Sequence, residues 1–299
     1  MLFAGVDGGQ TATIALVSTE DGVVLGRGTG PAADLVGLPR SAARQAEAID
    51  TAIDAARVQA GLPVNISFEA IVCGLSGYED GELMPALRTT TRHIRATHDT
   101  ESALAGALAR DGIIVIAGTG SAALGVDERG ARIRAGGWGY LFGDEGSAFW
   151  IARRALTVAM HRADRNETSS FAPALLERLG QPSLRAVQQA FAHGEIARSA
   201  LASCAPIVLA SAAAGDVEAQ LVRSDAARAL AGLVQRVHVR LAPTGERSVS
   251  YAGGVFGDEA LRATWQAAVS ERIPEARVHP PLAEPAAGAL RLARESNVA

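Results

Sequence analysis

Short apolar runs broken by glycine-bearing turns fill the first thirty residues, a pattern that predicts a three-strand meander. Leu2 to Val6 is apolar, Asp7-Gly8-Gly9-Gln10-Thr11 turns the chain, and Thr13 to Ser18 mixes β-branched and apolar positions. Glu20-Asp21-Gly22 is a hairpin signal, after which Val23 to Gly28 returns. The period then changes: Ala46, Ile49, Ile53 and Ala56 recur at intervals of three and four, the spacing of one helix face. Phe68 to Cys73 reads as a strand, residues 80–94 as a helix, Ile94 to Thr97 as a short strand, and Thr100 to Ala109 as a helix preceded by Asp99.

At Ile113 the pattern starts again. Ile113 to Ala117 repeats the apolar run, Gly118-Thr119-Gly120-Ser121 turns the chain, Ala122 to Val126 returns, and Glu128-Arg129-Gly130 leads into Ala131 to Ala135. The two charged hairpins stand at matching places, so the chain reads as an internal duplication at domain scale. A meander followed by strand–helix units, twice over, predicts two α/β domains with a cleft between them. The second half is richer in helix, with helical spacing or composition at 144–161, 168–180, 182–191, 197–214 and 217–240. Ser248 to Ala252 reads as a strand ending in Gly253-Gly254-Val255-Phe256, and a helix follows over Asp258 to Ala268. Glu284-Pro285 opens the last helix, since proline suits a first turn.

Composition narrows the function. With 299 residues, 48% of them hydrophobic, the chain can bury two cores. A net charge of −4 and the lack of a long basic run argue against nucleic acid or an anionic membrane as partner. The start, MLFAGVDGG, has no basic stretch, and no later apolar run reaches about 18 residues, so neither a signal peptide nor a membrane span is expected. Cys73 and Cys204 lie far apart in apolar surroundings, which is no disulfide framework and fits a reducing cytoplasm. One absence decides more. The chain has no lysine; all 28 basic residues are arginine. A P-loop needs its lysine on the phosphates, the protein-kinase fold needs a strand lysine, and Schiff-base chemistry needs an amine, so all three classes are excluded. The six histidines form no transition-metal site, and His98 beside Asp99 reads as incidental.

The candidate chemistry lies in the turns. Glycines in the 7–11 turn let backbone N–H groups approach an anion without Cβ obstruction, and Asp7 at the strand end can hold Mg²⁺ through water. The plain alternative is an ordinary hairpin. The 118–121 turn repeats the arrangement, and two such turns can grip a triphosphate from both sides. Gly253 and Gly254, between strand and helix, can lie against adenosine, or form only a tight connection. Asp99 is either a helix cap or a carboxylate placed to take a proton from an attacking hydroxyl. Residues 136–147 crowd glycines, aromatics and two acids together, which suits the C–H faces and hydroxyls of a sugar; the alternative is a helix capped by Asp144.

Taken in order, GVDGGQT, GLSG (74–77), HDTESALAGA, IAGTGS, GGWGYLFGDEGSAFWIAR, Ala214-Gly215-Asp216, AGGVF and PAAGAL resemble the N-acetylglucosamine kinase group of the BadF/BadG/BcrA/BcrD ATPase family, within the actin–hexokinase–Hsp70 superfamily. The GGWG…GDEGSA segment is specific to this group; the DGG turn is common to many sugar kinases. The resemblance implies two ribonuclease-H-like, actin-like ATPase domains that close on substrate. These would be residues 1–109, completed by the helix at 284–297, and residues 110–283. It implies ATP and Mg²⁺ as cofactors, with Asp7 (as the Mg²⁺ residue), Gly8, Gly9, Gln10, Thr11, Gly118, Thr119 and Gly120 on the phosphates, and Gly215, Gly253 and Gly254 at the nucleotide. Asp99 matches the family's catalytic base, and Asp34, Ser76, Ser121, Trp138, Gly139 and Asp144 would lie at the sugar.

The implied substrate is a small-molecule amino sugar phosphorylated at its 6-hydroxyl, N-acetylglucosamine first, with glucosamine or another hexose as the alternative. The implied location is the cytoplasm, and a homodimer is compatible with the resemblance. Three positions depart from the family: Gln10 where many relatives have glycine, Ala122 where an amide is common, and Asp34 in place of an asparagine. A carboxylate at residue 34 accepts hydrogen bonds only and can favour a cationic amine. Two readings of another class stay open. One is an ATPase activator of a radical dehydratase, which would need cysteines in glycine loops around an iron–sulfur cluster. The other is a non-catalytic sugar sensor, against which the presence of both Asp7 and Asp99 speaks.

Overall fold

The computed structural model describes residues 1–33, 42–79, 82, 84, 86–108, 111–242 and 245–296. The first meander forms as expected: β1 (Leu2–Gly8), β2 (Thr13–Thr19) and β3 (Val24–Gly30). Helix α1 (Ala42–Gln59), β4 (Phe68–Leu75) and β5 (Thr91–His98) complete a five-stranded mixed sheet of order β3-β2-β1-β4-β5. The second meander is β6 (Gly112–Ala117), β7 (Ser121–Val126) and β8 (Arg132–Gly136); with β9 (Arg247–Ala252) and β10 (Ala276–Val278) it forms a second sheet of order β10-β9-β6-β7-β8. In each sheet the first meander strand is central, antiparallel to the second and parallel to the strand that arrives after a helical crossover. The duplication read from the two hairpins therefore extends to the whole strand order.

Local sequence explains how closely α1 lies on its sheet. Gly26, Gly28 and Gly30 alternate along β3, and a Cβ at each would stand 2.1, 2.1 and 2.4 Å from the carbonyl oxygens of Ala56, Ala52 and Ala48. Two residues of strand advance about 6.6 Å and four of helix about 6 Å, so a glycine every second position matches an alanine every fourth.

Two helices tie the lobes together. Helix α2 (Asp99–Ala107) leaves the first sheet but packs on the second: Ala103, Leu104 and Ala107 share a buried cluster with Ile114 and Leu124. Helix α11 (Pro285–Glu295) follows the second sheet but covers the first, where Ala286, Ala289, Leu290 and Ala293 pack on Phe3, Leu16, Ala70 and Val72. They cross at Gly106 and Gly288, where a Cβ on Gly288 would meet the Ser102 carbonyl oxygen at 1.9 Å.

The remaining helices belong to the second lobe. They are α3 (Gly139–Phe142), α4 (Ala148–Asp164), α5 (Ala172–Leu179), α6 (Leu184–Ala192), α7 (Arg198–Ala202), α8 (Ala205–Ala213), α9 (Val217–Leu241) and α10 (Glu259–Arg272). Among the described residues no single helix is long and apolar enough to cross a membrane.

Three expectations change. None of the described residues in the stretch 80–94 is helical: those up to Thr90 are irregular and β5 begins at Thr91. Half of the residues of β5 are exposed, and the sequence marks only its second half, Ile94 to Thr97, as a strand. The stretch 197–214 is two helices that break at Ser203–Cys204, ahead of Pro206 in the first turn of α8. Residues 144–161 start their helix only at Ala148, after the single turn α3 and an irregular Gly143–Ser147.

Candidate active site

The β1–β2 turn, the ends of β4, β5 and β9, and the β6–β7 turn converge on one cavity of about 670 Å³. Each is the carboxyl end of a strand, the edge at which parallel strands present ligands. Of the residues expected at phosphates or nucleotide, Asp7, Gly9, Gln10, Thr11, Gly118, Thr119, Gly120 and Gly253 line the wall. Of those expected at the sugar, Ser76, Asp99, Ser121, Trp138, Gly139 and Asp144 do so. Three expected residues lie off the wall. Gly8 sits inside β1, where its carbonyl accepts from Ser76 N–H at 2.9 Å and so positions a residue that does line it. Gly254 begins a 3-10 turn beyond Gly253. Gly215 lies between α8 and α9, next to Asp216, which caps α9 by accepting from Ala219 N–H at 2.8 Å. Asp34 lies outside the described residues.

The first turn is narrow. Gly9 N–H donates to Ala12 O at 3.1 Å, and Gly9 O accepts from Ala33 N–H at 3.1 Å. Asp7 stands at the base of this turn with its carboxyl pushed up to about 7, first by burial and then by the negative charges of Asp99 and Glu284. The Oε1 of Gln10 is buried without a hydrogen-bond partner.

The second turn is braced from behind by the segment that the sequence marks as densest. Ser121 N–H donates to Asp144 Oδ1 at 3.1 Å, Ser121 Oγ donates to Glu145 O at 2.8 Å, and Ala148 N–H donates to Gly118 O at 2.9 Å. Asp144, only 4% exposed and at φ 59°, also pairs with Arg198, whose Nη2 donates to Thr119 O at 3.2 Å. Burial raises the Asp144 carboxyl above its usual range, against the pull of Arg198 and the Ser121 amide. Both oxygens of Asp144 thus hold the turn and α7 together, and the residue reaches the cavity as part of its scaffold. The Arg198 guanidinium in turn lies 5.5 Å from the ring centres of Tyr140 and Phe149.

Helix α3 forms the lip of the wall as a glycine-flanked single turn whose Tyr140 packs inward on Phe149 at 5.3 Å. Its Trp138, Leu141 and Phe142 face out, 77, 66 and 83% exposed, and all three line the cavity. Sequence reasoning missed Arg198, one arginine among many on a helical stretch, for which no local signal exists. It also missed His98, which lines the cavity with its Nδ1 2.8 Å from Asp99 Oδ1. The adjacency was visible; what made it matter, the turn from β5 into α2, was not. The N-cap of α2 is His98, and Asp99 is the first helical residue. Cys73 and Cys204 are free and buried, inside β4 and at the start of α8, away from the wall.

Two duplicated lobes, each offering a glycine turn to a shared cleft with carboxylates at its base, define a two-domain protein of the actin-like ATPase fold. The profile of the BadF/BadG/BcrA/BcrD ATPase family matches residues 4–293, and the chain belongs to that family. A crystal structure of a candidate N-acetylglucosamine kinase from Chromobacterium violaceum superimposes with a TM-score of 0.80 at 30% identity, covering 97% of this chain and 98% of that one. The N-acetyl-D-glucosamine kinase of Dictyostelium discoideum is 27% identical over 316 aligned positions, 99% of this chain and 98% of that one. The N-acetylmuramic acid/N-acetylglucosamine kinase of Clostridium acetobutylicum is 33% identical over 168 residues, 55% of each chain, so this match spans about half the length of that relative.

Proposed function

We propose that this protein is an ATP-dependent kinase of an amino sugar, N-acetylglucosamine first among the candidates, acting at the 6-hydroxyl. The observation that carries the reading is the pairing of two duplicated glycine turns with Asp99 in one cavity. The names of the relatives above support the sugar. On this reading residues 1–109 with the helix at 284–297 form one domain and residues 110–283 the other, and the packing of α11 on the first sheet supports the division.

The residues fit ATP with Mg²⁺. Asp7, Asp99 and Glu284 crowd negative charge around a buried carboxyl that a divalent cation would relieve. Among the described residues no group of three or more His, Cys, Asp or Glu forms a direct ligand set. Asp7 would therefore hold Mg²⁺ through water, as this ion's reluctance to dehydrate allows. When bound, the ion neutralises triphosphate charge. The protein's part is positioning. The turns at Gly9–Thr11 and Gly118–Gly120 approach the phosphates with little side chain in the way, and the Asp144–Arg198 brace keeps the second turn fixed. Asp99 orients the attacking hydroxyl and takes its proton. Ser76, Ser121 and Trp138 face the sugar, and an acid at sequence position 34, where relatives usually carry asparagine, would favour an unacetylated amine.

The test is a panel of amino sugars and hexoses in a coupled assay of ADP release, with Asp99→Asn beside the wild type. The variant should bind Mg·ATP and sugar normally in calorimetry while kcat falls by about two to four decades. Unchanged turnover would remove Asp99 from the role of base.

A further inference from the structure

The chain hides its large aromatic side chains almost everywhere. Of seven phenylalanines and three tryptophans, only Phe142 and Trp138 are exposed, and both belong to the short turn of α3 and its N-cap. Leu141 is exposed beside them, and all three line the cavity. Their outward aim is built in. Tyr140 anchors the turn from inside, its ring 5.3 Å from Phe149 and 6.4 Å from Phe191, and Gly143 N–H closes it on Gly139 O at 2.8 Å. A helix advances about 100° per residue, so with Tyr140 inward Phe142 is turned to the opposite side. Apolar surface gathered at the edge of a cleft marks a place where an apolar group binds. Trp138 already has the sugar ring; Leu141 and Phe142 have no part in the reading above.

The polar groups lie deeper. The Asp99 side chain is 22% exposed and Asp144 is buried, whereas Leu141 and Phe142 stand open at the outer edge. On the kinase reading, on which this rests, the 6-hydroxyl meets Asp99. In a pyranose ring C5, which carries C6, stands opposite C2, which carries the nitrogen. A ring whose C6 end reaches down to Asp99 therefore turns its nitrogen substituent up toward the lip. A plain hexose would leave Leu141 and Phe142 facing water; an acyl chain would cover them. We infer that Leu141 and Phe142 select amino sugars by the apolar chain on the nitrogen and accept chains longer than acetyl. The acid at sequence position 34 pulls toward a free amine. The comparison that isolates the lip is therefore between one acyl sugar and another.

The test is kcat/KM for N-acetyl-, N-propanoyl- and N-butanoylglucosamine, in the wild type and in Leu141→Ala, Phe142→Ala and Phe142→Leu. In the wild type kcat/KM should rise by about two- to fourfold with each added methylene, the range for a methylene partly to fully removed from water. Both alanine variants should flatten the series, and Phe142→Leu, which keeps an apolar side chain, should retain most of the rise. All three variants should melt close to the wild type, because the altered side chains are exposed. A wild-type series that stays level or falls with chain length would overturn the proposal. So would alanine variants that lower kcat/KM for all three sugars alike and keep the rise, since the two side chains would then serve closure of the lobes. Alanine variants indistinguishable from the wild type would overturn it as well. A wild type that phosphorylates no amino sugar would overturn the kinase reading and this proposal together, whereas an active wild type indifferent to chain length overturns this proposal alone.

Discussion

Asp7 stands next to the last residue of β1 in a place where its proton is easier to keep than to lose. In the unfolded chain the carboxyl ionises near 3.8; in the folded protein it holds its proton up to about 7, chiefly through burial and then through Asp99 and Glu284. Between those values the folded state binds more protons than the unfolded one, so stability falls as pH rises. The contribution is complete below 3.8 and is lost as pH passes through about 7. Melting of the metal-free protein should therefore decline across that window, and Asp7→Asn should flatten the decline; an unchanged slope in the variant would mean that Asp7 is not the group responsible. At this scale the sequence was readable for place at strand ends: Asp7, Asp99 and residues of both glycine turns line one cavity. It was not readable for Asp144. Its partner Arg198 lies 54 positions away, and only the packing of α7 against the second turn makes the two meet. An acid expected at the sugar lines the cavity and also holds its wall.

The elements show the same division. Both meanders were legible because turn residues punctuate runs of apolar strand. Strand β5 was legible only over Ile94 to Thr97, because it is a half-exposed edge rich in Thr, Arg and His, and three-residue β10 is too short to carry a period. The alternating glycines of β3 look in the sequence like a weak strand, yet they are what lets α1 lie against the sheet. Gly28→Ala should destabilise the protein by about 1–3 kcal/mol, since the added methyl meets the Ala52 carbonyl at 2.1 Å and the helix must lift to admit it. Chemical denaturation measures this directly. The same substitution at Gly61, where a Cβ meets nothing within 4 Å but φ is +66°, tests strain without the clash.

At the scale of the molecule, an exposed ion pair joins the lobes away from the helix crossing. Arg134 on β8 donates from Nη2 to both carboxylate oxygens of Glu79, beyond β4, at 2.7 and 2.9 Å. Pairs this exposed contribute little to stability, so Glu79→Gln should leave melting almost unchanged. It should still shift the balance between closed and open lobes, and sugar KM should rise by about two- to fivefold, the reach of a contribution up to about 1 kcal/mol. The charge-reversed pair Glu79→Arg with Arg134→Glu should restore KM. A KM indifferent to all of these variants would mean that closure does not draw on this contact.

The exchange of α2 and α11 sets a limit on how the chain can be divided. Although the two sheets repeat one plan, neither repeat covers both faces of its own sheet: the first borrows its last helix from the far end of the chain, and lends α2 to the second. A fragment cut between the lobes would leave Phe3, Leu16, Ala70 and Val72 bare on one side and Ile114 and Leu124 on the other. Such halves would be insoluble alone. Co-expressed as a split protein, they should rescue each other in trans, each inserting its helix into the other's sheet, so that what descends from two copies of one unit now folds as one.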